Sequence, residues 1–205
     1  MSYAKGTKKH MSLAGVEQEY TYLGQGHFNT VWKGADGLVY YVGRPSREGN
    51  DMSKDVFQWA HREGLPEYEN LGFASDDYHD NRRVYRSPCY TPINAKDNPK
   101  HWEIVKALSN IWEEERRDLG NELRWQGGQF NAAFHGLDLC QRFANACKED
   151  ARVPESISET VQELVYVSSN IGTDAFFEFK KSAFAVDEND TLVFRDVVFQ
   201  ATAVR

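Results

Sequence analysis

A chain of 205 residues with 40% hydrophobic content, five Trp, ten Tyr and twelve Phe carries enough apolar material for one domain, or for two small lobes sharing a core. Its formal charge of −7 argues against general binding to nucleic-acid phosphates, which favours basic surfaces. No window approaches the ~20 apolar residues that span a bilayer, and the N-terminus has no apolar signal core, so neither a membrane partner nor secretion is expected.

The opening Met1 to Ser12, with Lys5, Lys8, Lys9 and His10, reads as a mobile basic tail, which we bound at residues 1–19. From Tyr20 to Gly43 the pattern is β. Tyr20, Tyr22 and Phe28 to Trp32 are aromatic or branched, and Gly24 and Gly26 punctuate them. Ala35-Asp36-Gly37 predicts a tight hairpin turn, because Asp-Gly tolerates positive φ. Leu38 to Val42 follows as a strand. Ser53 is a candidate cap for a short helix over Lys54 to Arg62. Asn70 to Ser75 and Arg82 to Arg86 predict two further strands, and Ser87 to Pro92 breaks the sheet as a hinge.

Beyond the hinge the periodicity turns helical. Asn98-Pro99 is a good helix start. Trp102, Val105, Leu108 and Trp112 recur at helical spacing as core positions, and the charge run Glu113 to Asp118 is expected to close that helix as a solvated end. A second helix is expected over Phe130 to Lys148. Ser156-Ile157-Ser158-Glu159 resembles a capping box opening a third. Short strands are expected at Ser182 to Val186 and Thr191 to Phe194. Strands first and helices later make an α+β order. The three cysteines Cys89, Cys140 and Cys147 form no CxxC pair, so reduced thiols in a cytosolic compartment are expected, with Cys140 and Cys147 packing rather than reacting.

Two segments carry the chemistry. Leu23-Gly24-Gln25-Gly26-His27-Phe28 lies in a strand–turn–strand unit, whereas the dinucleotide fingerprint needs a third glycine and a helix directly after it. A hairpin after the glycines favours a flap whose backbone NH groups approach phosphates. An ordinary glycine-containing hairpin is the competing reading. Near the other end, Glu178, Ala183 and Asp196 are spaced five and then thirteen residues apart. That is the register of a kinase catalytic base, a metal-binding Asn and a metal-binding Asp. No HExxH, paired-Cys or GxSxG pattern occurs, so metalloprotease and serine-hydrolase chemistry are unsupported.

At these residues, at the strand ending Val42-Gly43 and over Ile157 to Phe199, the chain resembles the early serine/threonine protein kinases of T7-like bacteriophages. The resemblance implies a truncated, two-lobed, protein-kinase-like α+β fold. An N-lobe sheet with one helix would span 20–87, a hinge 88–98, and a reduced, mainly helical C-lobe 99–205. It implies nucleotide contacts from Leu23, Gly24, Gly26, Phe28 and Val31, a base position at Glu178 and a metal position at Asp196, with ATP and Mg²⁺ as the family's cofactors. It also implies action on a host protein in the bacterial cytoplasm. Tyr41 stands where the third strand of a working kinase carries a lysine, Glu178 stands for Asp, and Ala183 for Asn. Phosphoryl transfer rests on positioning and metal-borne charge neutralisation, so these departures point to a pseudokinase that binds and inhibits a host protein. The alternatives are a divergent kinase using Lys33, Glu178 and Asp196, and an unrelated α+β nucleotide-binding or transferase module. Sequence leaves the oligomeric state open.

Overall fold

The computed structural model describes residues 3–26, 29–44, 62, 64–74, 82–171, 175–177, 179–195 and 198–200; for 132–134, 171, 175–177 and 198–200 only the backbone is described. The molecule is α+β. A six-stranded antiparallel sheet comprises β1 (Lys8–Leu13), β2 (Val16–Gln25), β3 (Asn29–Gly34), β4 (Val39–Gly43), β5 (Glu69–Ala74) and β6 (Arg82–Ser87), in spatial order β1-β2-β3-β4-β6-β5. Three helices follow: α1 (Pro99–Trp125), α2 (Ala132–Glu149) and α3 (Glu155–Ile171). The expected helix over Lys54 to Arg62 falls almost wholly outside the described residues.

The N-terminal segment is a correction to the sequence reading. It is not a mobile tail: Lys8–Leu13 forms β1, paired antiparallel with β2 from Lys8↔Thr21 to Leu13↔Val16. Its apolar residues alternate inward, with Leu13 fully buried, while Lys8 pairs with Glu19 at 2.8 Å on the outer face. Of the basic residues that suggest disorder, Lys8 and His10 are on the solvent side of an edge strand, where charge is expected, and Lys9 is half-buried on the face of Met11 and Leu13. Leu13 and Val16 are joined by Ala14 and Gly15, both at positive φ (49° and 84°), the requirement of a two-residue primed turn.

One face of the sheet packs on itself. Tyr20, Tyr22, Trp32, Tyr40 and Val42 project there with Met11 and Leu13, and Tyr20 meets Tyr40 edge-on at 5.0 Å. The turn at Asp36 fixes the β3–β4 register. Gly37 takes φ 85°, and the Asp36 carboxylate accepts from the Leu38 N–H (3.0 Å), the Tyr40 hydroxyl (2.6 Å) and Gln18 Nε2 (3.1 Å).

The second core lies among the helices. Trp112 of α1 meets Phe143 of α2 edge-on at 5.3 Å, and Phe143 packs on Phe179 at 4.3 Å. Phe179 continues to Phe184 and Phe194, which belong to the hairpin β9 (Phe184–Val186) and β10 (Leu192–Phe194). Between α3 and that hairpin lies the short strand β8 (Ala175–Phe177), which pairs with β11 (Val198–Gln200). The hinge is structured too: β7 (Thr91–Pro92) pairs with β9, so the linker belongs to a three-stranded sheet β10-β9-β7. Cys140 and Cys147 are fully buried in the helical core, and none of the three cysteines is in a disulfide.

Helix limits differ from expectation in two places. The charge run Glu113 to Asp118 lies inside α1, which continues through Gly120 to Trp125 with Leu119 buried on its core face. There Gly127 takes φ 78°, its N–H reaching Arg124 O (3.0 Å) and that of Gly128 reaching Leu123 O (2.8 Å), a Schellman cap. The capping box at Ser156 does not form, since α3 starts at Glu155 and the Ser158 N–H already bonds Pro154 O at 3.0 Å. No helix among the described residues is long and apolar enough to cross a membrane.

Candidate functional site

Between the sheet and the helical core lies a cavity of about 530 Å³. Its roof comes from β2 and β3. The two strands shift register between Tyr22 and Gly24: Tyr22 pairs with Trp32, but Gly24 pairs with Val31, so Leu23 is an extra residue. Such bulges re-aim side chains, and here Leu23 and Gly24 both border the cavity. Gly26 closes the hairpin with its N–H on Asn29 O (2.8 Å), while Arg44 at the end of β4 donates to Gly26 O (2.9 Å). Val31, Val39 and Tyr41 line the wall, because they alternate onto the face opposite Trp32 and Tyr40.

The far side is built by residues distant in sequence. Tyr68 meets Tyr41 edge-on at 5.5 Å and donates from its hydroxyl to the Arg195 carbonyl at 2.9 Å. Tyr90, on the hinge, accepts from the Glu67 N–H at 2.9 Å, and burial pushes its phenol up to about 12. Gly64 approaches the hairpin so closely that a Cβ would stand 2.8 Å from Leu192 O, and Gly64 O accepts from the Phe194 N–H. These contacts anchor the 64–68 segment against β10.

Sequence-predicted residues fall into three groups. Leu23, Gly24, Gly26 and Val31 line the cavity together. Lys33 shares the strand face of Val31 but is exposed and does not line the cavity. Phe28, Glu178 and Asp196 lie outside the described residues. Of the substituted positions, Tyr41 borders the cavity, and Ala183 is buried with its carbonyl accepting the Arg195 N–H at 2.7 Å. The β9–β10 hairpin therefore brings the 180–183 turn against residue 195. Among the described residues no group of three His, Cys, Asp or Glu side chains is placed to hold a metal ion. Ala183 has no donor atom to offer one.

Sequence reasoning missed Lys5, Tyr68, Cys89, Tyr90 and Arg195, all of which line the cavity. The chain matches no protein-family model. No curated protein matches it either.

Proposed function

We propose that this chain is a kinase-like scaffold working as a binding module on a host bacterial protein, with phosphoryl transfer abandoned. The observation that carries the reading is Tyr41. On the second strand beyond the glycine strand it lines the cleft, packed edge-on against Tyr68. A kinase needs a lysine ammonium at that point to hold the α- and β-phosphates, and a phenol supplies no cation. The glycine strand pair over the cleft, the hinge strand and the helical layer support the kinase-like frame. Ala183 supports the loss of chemistry, since the family's Asn at that point is a Mg²⁺ ligand. The exposed Lys33 stays outside the cavity, which counts against its use as a replacement.

The test is transfer of label from γ-labelled ATP, with Mg²⁺, to a host bacterial lysate. The expected result equals that of a Glu178→Ala/Asp196→Ala variant. Transfer by the parent that the variant loses would overturn the reading in favour of a divergent kinase. On the binding side, a purified host protein should form a complex of fixed stoichiometry by light scattering.

A further inference from the structure

We propose that the open edge of β1 accepts an extended segment of a partner protein as a seventh strand, with acidic residues on one face of that segment and apolar residues on the other. The inference deepens the function proposed above and rests on its claim that the chain is a binding module.

β1 stands at one end of the six-stranded order, with β2 on its inner side. Ahead of it the Tyr22 N–H donates to Thr7 O and the Gly6 N–H to Tyr22 O, both at 2.8 Å. The Tyr3 ring packs on Tyr22 at 5.6 Å and on Trp32 at 5.2 Å, so residues 3–7 are clamped to β2. The Thr7 bond sets the phase of the strand, because bonded and non-bonded residues alternate along an antiparallel pair. Lys9, Met11 and Leu13 therefore turn their N–H and C=O groups to β2, opposite Tyr20, Gln18 and Val16. Lys8, His10 and Ser12 turn theirs to the open edge. Among the described residues no strand pairs there, and the Lys8 and His10 side chains are 64% and 68% exposed.

Charge chooses the occupant. The chain carries −7, yet Lys5, Lys8, Lys9 and His10 all precede its first acid, Glu17. Glu19, 2.8 Å from Lys8, and Glu17, 3.9 Å from His10, approach from the β2 side and leave the edge side open. A second copy of β1 would bring Lys8, Lys9 and His10 of two chains onto one ribbon, and like charges across a strand pair repel. An acidic strand turns the same groups to attraction. The strand's alternation then sets the partner's pattern. Lys8 and His10 lie on the solvent face, while Met11 and Leu13 are buried on the other. An acidic–apolar alternation places carboxylates beside the first pair and apolar side chains beside Met11, while backbone bonds supply the register.

The experiment is amide hydrogen exchange, read by NMR, on the full chain with a capped hexapeptide of three Glu-Val repeats. The peptide should slow exchange at Lys8, His10 and Ser12 about tenfold and leave Lys9, Met11 and Leu13, already bonded to β2, unchanged. A Lys-Val counterpart should bind about tenfold more weakly. His10→Pro removes an outward N–H that β2 does not use, and should abolish the protection at Lys8 and Ser12. Lys8→Glu keeps the strand and should shift preference toward the Lys-Val peptide. Protection of no edge amide, equal slowing at all six residues, or binding that both variants leave unchanged would overturn the inference. So would a host-protein complex that survives both variants, and the proposed function would then stand. Edge protection by the peptide with no host-protein complex by light scattering would overturn the proposed function and leave the edge as a docking surface.

Discussion

The hydroxyl of Tyr68 donates to the backbone carbonyl of Arg195 at 2.9 Å, joining residues 127 apart in sequence. The same ring packs edge-on against Tyr41 of the sheet. Tyr68 is thus the tie between the cleft's sheet wall and its helical side. Tyr68→Phe keeps the ring contact and leaves a partly buried carbonyl without its donor, so it should cost about 1 kcal/mol in urea unfolding. Tyr68→Ala should cost about 3 kcal/mol, because the aromatic packing goes as well. Equal costs for the two variants would show that the hydrogen bond rather than the ring makes the tie.

Gly64 is a second check on the same junction. At φ 84° an L side chain is strained, and a Cβ there would meet Leu192 O at 2.8 Å. Backbone does not yield as a flexible side chain would. Gly64→Ala should lower stability by about 2 kcal/mol, read as a fall in Tm of roughly 4–8 °C for a chain of this size. An unchanged Tm would mean that the 64–68 segment is not held against β10.

The β1–β2 turn makes a prediction of the opposite sign. Ala14 sits at φ 49°, a conformation that costs alanine about 1 kcal/mol and that Asn or Gly adopts readily. Ala14→Asn, giving the favoured Asn-Gly pair, should therefore stabilise the protein by about 0.5–1 kcal/mol. Ala14→Val should destabilise it. Chemical denaturation of both variants decides whether this hairpin is formed.

Acid should weaken the α2–α3 connection. Side-chain hydrogen bonds from Arg152, then its backbone N–H, hold the Asp150 carboxyl at about 2, against an ordinary value of 3.8. A folded-state pKa below the unfolded one gives stability that is full above pH ~4 and lost as pH falls through about 2. The stability difference between the parent and Asp150→Asn should shrink over that window in acid titrations followed by circular dichroism. A difference that stays constant from pH 5 to pH 2 would count against the pair.

Thiol reactivity separates the cysteines. Cys89 is exposed, whereas Cys140 and Cys147 are fully buried, and desolvation pushes the Cys147 thiol up to about 12. Iodoacetamide at pH 8 should modify Cys89 alone in the native protein and all three in denaturant, as counted by intact mass. Rapid native labelling of a second thiol would contradict the helical core.

The strands β3 to β6 and the part of β2 from Tyr20 onward were legible from their aromatic and branched residues and from the Asp36-Gly37 turn, whereas residues 16–19 of β2 were read as part of the tail. β1 was not legible. Its Lys8 and His10 look like a tail until the inward alternation of Met11 and Leu13 is paired with β2, and Ala14-Gly15 lacks the usual turn signature. The end of α1 carried a readable signal in Gly127-Gly128, but the charge run drew the boundary too early. The glycines located the roof of the cavity. Tyr68, Tyr90 and Arg195 reach it only through tertiary contacts that no local spacing encodes.

The clamp of residues 3–7 onto β2 and the pinning of Arg195 bear on biosynthesis. A cleft lined by residues from positions 5 and 195 cannot be assembled before residue 195 has emerged from the ribosome. The six-stranded sheet can form first from local pairings, with a half-open, tyrosine-rich face awaiting its floor. During that interval the nascent protein exposes the surface it later encloses, so chaperone dependence should track the delay before residues 183–195 are released.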